Sequence, residues 1–550
     1  MKILLRQFIS RGPTTFALLI SSFAANVLAL VPAIFVILVL NRYVTFGVDA
    51  TLITLATAAC VAIIFEFLFR RFRYRTAAEL DFDGHNELNS RMFTRASRSK
   101  LGLVGQIPIA TFRGVFGCVE QLRAAYSPSS VCVFLDAPFA LLFLFALYLI
   151  CPPICLITVV VIGTLSIVII LQLNTRRQIG RNINKTAALK AQLASNAIDT
   201  PETLRVFDLG GFLQNKWEKV CGALDALQYR LLDRQDHTQS LIKAFTGILT
   251  VAVITAGAVL VVDGQLDIGE MIGANILAAR AMAPVIAVCQ QTESWIRAEQ
   301  ANKTIDDFNR IPFERVEGSA FEKYSGQLEF RDLTFNYPAK ETPVIEKLNL
   351  SLMPGEVLCV TGANGSGKTT LAKLITGLLD PNEGYVSVDG VNLKQLSLKW
   401  WRKQIIYLPQ EPKFLEGSIR ENFLAVDGTL SDDRIREVLA DVGLDQEIDK
   451  SVGGLEQVIN TMGSSLSLGV RRRLALARAL INQGEIAILD EPTEGIDAKG
   501  AESVYQIMSD LSKSGKTLII CAHDTAVLNG AHHVLDLDDG SQSMMRTVSN

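Results

Sequence analysis

Eight consecutive residues, Gly362-Ala363-Asn364-Gly365-Ser366-Gly367-Lys368-Thr369, follow the pattern G-x-x-x-x-G-K-[ST]. Glycines at Gly362, Gly365 and Gly367 let the backbone curl until successive N–H groups point at phosphate oxygens, and the helix behind adds its positive end. Lys368 is placed to neutralise β- and γ-phosphates and Thr369 to hold Mg²⁺, with Asn364, Ser366 and Thr370 completing the nucleotide contacts. Further on, the apolar run Ile486 to Leu489 ends in Asp490-Glu491. The first carboxylate suits Mg²⁺, usually through water, and the second suits a water molecule attacking phosphorus. His523 closes another apolar run, Leu518 to Cys521, where it can touch a γ-phosphate. A lone histidine is ordinarily bland; its place after a strand and beyond an acidic pair gives this one a role. Together these residues read as an ATP hydrolase with ATP and Mg²⁺ as cofactors.

Such a site needs strands that stop where the chemistry starts. Val357 to Thr361 is an apolar strand feeding the loop and Leu371 to Leu379 the helix leaving it. Alternating Leu328, Phe330, Leu333 and Phe335 open a strand-rich region. The pattern predicts an α/β P-loop NTPase domain over 326–550, with 309–325, marked by Ile311-Pro312 and a charged, sparsely apolar stretch, as a linker.

Residues 1–308 have a different composition. The chain's 550 residues are 49% hydrophobic, and the excess lies in six apolar runs near 15–40, 51–69, 131–150, 154–173, 244–262 and 269–289. Each approaches the twenty residues or so that cross a hydrocarbon core, although Glu270 and Arg280 interrupt the sixth. Arg70, Arg71, Arg73 and Arg75 after the second run, and Arg176, Arg177 and Arg181 after the fourth, mark cytoplasmic sides. The intervening polar connections carry helical periodicity, as in Leu189, Leu193 and Ala197. The expected domain is a six-span α-helical bundle with long cytoplasmic helical extensions, turning near Pro108 to Gly117 on the first connection and Pro201 to Gly211 on the second. A net charge of -3 argues against nucleic acid as a partner. Nine scattered cysteines without C-x-x-C spacing suit neither zinc nor a disulfide framework.

With these motifs in this order, the chain resembles the ATP-binding cassette family. The resemblance implies that Tyr337 stacks on adenine, that Gln410 senses Mg²⁺ and contacts the membrane domain, and that Asp497 in Glu494-Gly495-Ile496-Asp497 belongs to a dimer-contacting loop. Tyr337 is also readable as an ordinary strand-end aromatic. The family's signature, Leu-Ser-Gly-Gly-Gln, caps the γ-phosphate bound by the opposite subunit; here it reads Leu466-Ser467-Leu468-Gly469-Val470. Ser467 and Gly469 persist, whereas Leu468 can crowd the phosphate and Val470 removes an amide. A heterodimer with a second, intact half-transporter is favoured over a homodimer, and a barely active regulatory ATPase is the third reading.

Within the family, Phe134-Leu135-Asp136-Ala137-Pro138-Phe139-Ala140-Leu141-Leu142, Pro201-Glu202-Thr203-Leu204-Arg205 and Ile276 to Pro284 resemble bacterial type I secretion permease/ATPases. That implies an exporter half-transporter in the bacterial inner membrane, its ATPase cytoplasmic, passing an unfolded polypeptide to a periplasmic adaptor and an outer-membrane channel. A lipid, drug or small-peptide exporter is the alternative. The first span starts so early that no N-terminal peptidase-like domain is expected. Glu66 reads as an i,i+4 partner of Arg70, Asp136 as a carboxylate at a helix N-terminus, and Arg280 as paired in the bundle or lining a hydrated path.

Overall fold

The computed structural model describes residues 12–104, 109–314, 317–338, 342–451, 453–460, 463, 465–538 and 545–547. These described residues fall into two compact units, one lying within 1–98 and 107–312, the other within 99–106 and 313–550.

The first unit is helical. Its main helices are α1 (Gly12–Leu28), α2 (Val31–Leu38), α3 (Asp49–Arg98), and, beyond the short α4 (Leu101–Val104) of the second unit, α5 (Ile109–Ala125), α6 (Pro128–Asp136), α7 (Ala140–Ile150), α8 (Pro152–Asp199), α9 (Pro201–Val206), α10 (Gly210–Val262) and α11 (Ile268–Asn309). Among the described residues, six stretches are long and apolar enough to cross a membrane: Gly12–Tyr43, Asp49–Glu79, Pro128–Ile150, Pro152–Asp199, Gly210–Val262 and Ile268–Asn309. All six expected spans lie within them. Glu270 does not interrupt the sixth, because it sits in the first turn of α11, where its carboxylate accepts from the Asp267 N–H at 3.0 Å in a capping box. Close packing of α11 against α2 and the helical turn that follows it (Val39–Tyr43) depends on two glycines: a Cβ on Gly269 would lie 2.2 Å from Asn41 Oδ1, and one on Gly273 would lie 2.3 Å from Ile37 Cγ1.

Three sequence expectations for this region are refined or corrected. The first connection turns earlier than Pro108 to Gly117: α3 ends at Arg98 and Ile109–Ala125 is already helix, with Pro108 outside the described residues. Asp136 ends α6 rather than starting a helix, and it accepts from Arg73 at 2.5 and 3.1 Å and from Asn26 at 2.7 Å. Glu66 does bond Arg70, at 2.8 Å. Arg280 is half-buried and has no hydrogen-bond or ion-pair partner among the described residues.

The second unit is built on sheets. Strands β1 (Leu328–Phe335), β2 (Ile345–Leu352), β4 (Glu383–Val388) and β5 (Val391–Asn392) make an antiparallel sheet in the order β2-β1-β4-β5. The larger sheet contains β3 (Val357–Thr361), β6 (Ile405–Leu408), β7 (Ile486–Asp490), β8 (Thr517–Cys521), β9 (His533–Asp536) and β10 (Met545–Thr547), in the order β10-β9-β3-β8-β7-β6. All of its pairings are parallel except β9 with β10. β3, β7 and β8 are unbroken apolar runs because both faces are covered. Val357 and Cys359 enter one core while Leu358 and Val360 enter the other, and Ala487 and Leu489 alternate with Ile486 and Ile488 in the same way.

The stretch before β1 is fastened to this unit. Glu314 receives both guanidinium nitrogens of Arg402 at 2.8 Å, and Ser319 exchanges backbone bonds with Gln395 and Ser397. Phe321 and Tyr324 pack edge-on against Trp400 and Trp401. Residues 99–106 belong here too, and Lys100 meets Asp380 at 2.5 Å.

Candidate active site

Four adjacent parallel strands end at one edge. From β3 runs the glycine loop, from β8 the segment to His523, from β7 the Asp490-Glu491 pair, and from β6 the segment to Gln410. Registry pairs Val360 with Cys521, Cys521 with Asp490 and Leu408 with Leu489, so the ends are level. A crevice beyond the carboxyl ends of parallel strands is where open α/β sheets place ligands.

The loop takes the curl expected from its sequence. Gly362, Gly365 and Gly367 have φ of +136°, +92° and +114°, and a Cβ on Gly367 would lie 2.8 Å from Val344 Cγ1. Helix α12 (Lys368–Ile375) starts at once, its first N–H groups at the loop's mouth. Lys368 is buried; its Nζ reaches Gly362 O at 2.5 Å, Ala363 O at 3.3 Å and His523 Nε2 at 2.9 Å. Glu491 Oε1 lies 3.8 Å from Lys368 Nζ and 3.7 Å from His523 Nε2. One cation, one carboxylate and one imidazole therefore meet at a single point.

Beside them, Thr369 Oγ1 donates to Gln410 Oε1 at 3.2 Å. Asp490 is 1% exposed, and both its carboxylate oxygens are buried without a hydrogen-bond partner. Buried acceptors with no donor are costly unless a cation answers them. A hydroxyl, an amide oxygen and an unpaired carboxylate form an all-oxygen donor set, which fits Mg²⁺. Burial raises the Asp490 carboxyl above its ordinary value, against the pull of the neighbouring Thr369 hydroxyl and of Lys368, and burial likewise raises Glu491, opposed by Lys368 and His523.

The sign of the Asp490 shift gives a prediction. A carboxyl raised in the folded state favours folding below its ordinary value of 3.8 and loses that contribution as pH rises through the higher folded value. Without Mg-ATP, Asp490→Asn is expected to be more stable than wild type near neutral pH by about 1–3 kcal/mol, the gap narrowing on acidification. Thermal unfolding of both proteins across pH checks this; a less stable D490N at neutral pH contradicts it.

Other expected residues lie at measured places. Tyr337 is half-buried, its ring edge-on to Phe335 at 4.9 Å and its hydroxyl 3.2 Å from Thr370 Oγ1. Ser467 caps α13 (Leu468–Leu480), its Oγ accepting from the Val470 N–H at 3.3 Å. Leu468 lies against Gly495: a Cβ there would come 2.6 Å from Leu468 Cδ2. Asp497 caps α14 (Ala498–Lys513), accepting from the Gly500 N–H at 3.2 Å. Asn364 is exposed at the loop's crest, Ser366 and Gly469 are half-buried, and none of the three hydrogen-bonds to the Lys368–Glu491–His523 group.

Two contacts escaped the sequence reading. Asp538 accepts from the Ala363 N–H at 2.6 and 2.8 Å. Arg472, the middle of three consecutive arginines at 471–473, is 5% exposed. It donates to Glu491 O at 3.1 Å, Gln410 O at 3.2 Å and Glu494 Oε2 at 2.7 Å, and also to Glu494 O. The signal was faint: an arginine at a position that helical spacing turns towards the core.

Comparison with known proteins agrees with this architecture. The family model for the ABC transporter transmembrane region matches residues 15–285, and that for the ABC transporter matches residues 345–494. The toxin RTX-I translocation ATP-binding protein of Actinobacillus pleuropneumoniae is 25% identical over 527 residues, 95% of this chain and 74% of that protein. The leukotoxin export ATP-binding protein of Aggregatibacter actinomycetemcomitans is 26% identical over 534 residues, with the same coverage. A solved bacterial Atm1-family ABC exporter with ATP bound superposes with a TM-score of 0.84 at 15% identity, covering 97% of this chain and 96% of that one. At that identity the likeness is one of fold.

Proposed function

Because this chain belongs to the ABC transporter family, we propose that it is one half of a two-cassette machine that exports an unfolded polypeptide across the bacterial inner membrane. The chain is a multi-pass ABC exporter that couples ATP hydrolysis to transport. The observation that carries the chemistry is the meeting of Lys368, Glu491 and His523 within 2.9–3.8 Å at the ends of adjacent strands.

In this reading the N–H groups of Gly365 to Thr370 cradle the phosphates and Lys368 offsets their charge. Tyr337 faces the adenine. Thr369, Gln410 and Asp490 would hold Mg²⁺, which would supply charge neutralisation to the phosphates. Glu491, kept near Lys368 and His523, orients the attacking water and takes its proton, while His523 contacts the γ-phosphate. Partial burial raises the Glu491 carboxyl, so it accepts a proton more readily than an exposed glutamate.

The polypeptide cargo is supported by the toxin-export names of relatives that align over 95% of the chain and by the three membrane-domain motifs. A periplasmic adaptor and an outer-membrane channel would complete the route. The signature supports pairing with a second, non-identical half-transporter: Leu468 remains 41% exposed at the helix start that must approach the partner's nucleotide. Ser467, Gly469 and Asp497 would face that nucleotide across the dimer.

Affinity purification from the native host tests the pairing. The expected result is co-purification of a distinct cassette protein and strong ATP turnover only by the pair; robust turnover by this chain alone overturns the heterodimer. Failure of the purified pair to accumulate any polypeptide, with uptake of a lipid or drug instead, overturns the cargo.

A further inference from the structure

We propose that Arg472 is a positioning residue for hydrolysis, holding the main chain of Glu491 and tying it to the segment of Gln410 and to the signature helix. The proposal deepens the reading of Glu491 given above and rests on it.

Glu491 has φ +50°, in the left-handed region that a side chain with a Cβ rarely occupies. Such a conformation costs of order a few RT and persists only where its surroundings over-determine it. Both neighbouring peptide groups are held: the Glu491 N–H donates to Cys521 O at 2.9 Å, and the Glu491 carbonyl accepts from Arg472 Nη1 at 3.1 Å. The first bond comes from the end of β8, the strand that leads to His523. The second comes from α13, whose first turn carries the signature.

The same guanidinium reaches three other acceptors. Nη2 donates to Gln410 O at 3.2 Å and Glu494 Oε2 at 2.7 Å, and Nη1 also donates to Glu494 O. A planar fork suits this task, since four acceptors on two segments are met by one rigid group; a lysine ammonium would meet fewer of them in fixed geometry. Turning the Glu491 carbonyl rotates its side chain away from Lys368 and His523. Arg472 thus sets the direction of the Glu491 carboxylate without touching nucleotide.

The test compares Arg472→Met, Arg472→Lys, Glu494→Gln and Glu491→Gln in the full-length protein with its partner, reading kcat and KM for ATP. Misplacing a reacting group by about 1 Å can cost about 10²-fold. R472M and R472K are therefore expected to lose about 10- to 100-fold in kcat, with KM within about threefold. E494Q, which keeps the Glu494 carbonyl and the Glu491 and Gln410 contacts, is expected to stay within about threefold of wild type in kcat. Wild-type kcat in R472M, or a loss confined to KM, overturns the proposal. Should R472M fail to fold, R472K decides: wild-type kcat there overturns it. Turnover surviving in E491Q overturns the role of Glu491 itself, whereas a silent E491Q beside fully active Arg472 variants overturns only the positioning role.

Discussion

Glu491→Gln in the full-length protein is expected to reduce ATP turnover by about 10²-fold or more while leaving Mg-ATP bound. The amide keeps the shape and hydrogen-bonding reach of the carboxylate but cannot take a proton. Because Lys368 and the loop glycines are unaltered, nucleotide affinity should hold and the closed, ATP-loaded form should accumulate. The wild-type pH profile carries the same signature. Burial raises the Glu491 carboxyl, so turnover should fall on acidification at a pH above the ordinary glutamate value of 4.5. Rapid-mixing assays with radiolabelled ATP separate binding from hydrolysis; unchanged hydrolysis in E491Q would remove Glu491 from the chemistry.

The second large effect is expected in the membrane unit. Arg73 is 4% exposed and its guanidinium is held by both Asp136 oxygens, with Asn26 donating to the same carboxylate and Ser22 3.4 Å from Arg73 Nη1. This cluster joins α1, α3 and α6. Asp136→Ala leaves a buried cation without its counter-charge, and breaking a buried pair from one side costs about 3–5 kcal/mol. Replacing both partners by apolar residues, Arg73→Met with Asp136→Leu, should recover most of that loss, because neither charge is then desolvated. Thermal unfolding in detergent reads both variants. An Asp136→Ala protein as stable as wild type, or a double variant no better than the single, would show that the pair is not what holds these helices.

The nucleotide unit was legible because its chemistry sits where apolar strands stop. Val357 to Thr361, Ile486 to Leu489 and Leu518 to Cys521 are uninterrupted apolar runs, a pattern that few buried elements other than parallel strands produce at that length. Their C-terminal ends had to converge, and they bring Lys368, Asp490, Glu491 and His523 into one group. The six spans were legible for an equally simple reason, their length and hydropathy.

What stayed hidden was pairing across distance. Arg73 and Asp136 are 63 positions apart, and both read naturally as single charges near a membrane surface. Arg472 was masked by its neighbours Arg471 and Arg473, since in a run of three arginines helical spacing is only a faint guide to which one turns inward. The turn of the first connection was misplaced because Pro108 and the glycines Gly114 and Gly117 looked like breakers. Both glycines are inside α5, with open space around each; a helix tolerates them at about 1 kcal/mol apiece.

The central claim is that hydrolysis at the Lys368–Glu491–His523 site drives a polypeptide through the membrane unit. It is tested most directly in inside-out vesicles containing this chain and its partner, by following protease-protected accumulation of a fluorescently labelled unfolded polypeptide. The account predicts uptake with Mg-ATP that disappears with a non-hydrolysable analogue and in E491Q. Equal uptake under all three conditions, or none in the presence of rapid ATP hydrolysis, would contradict it.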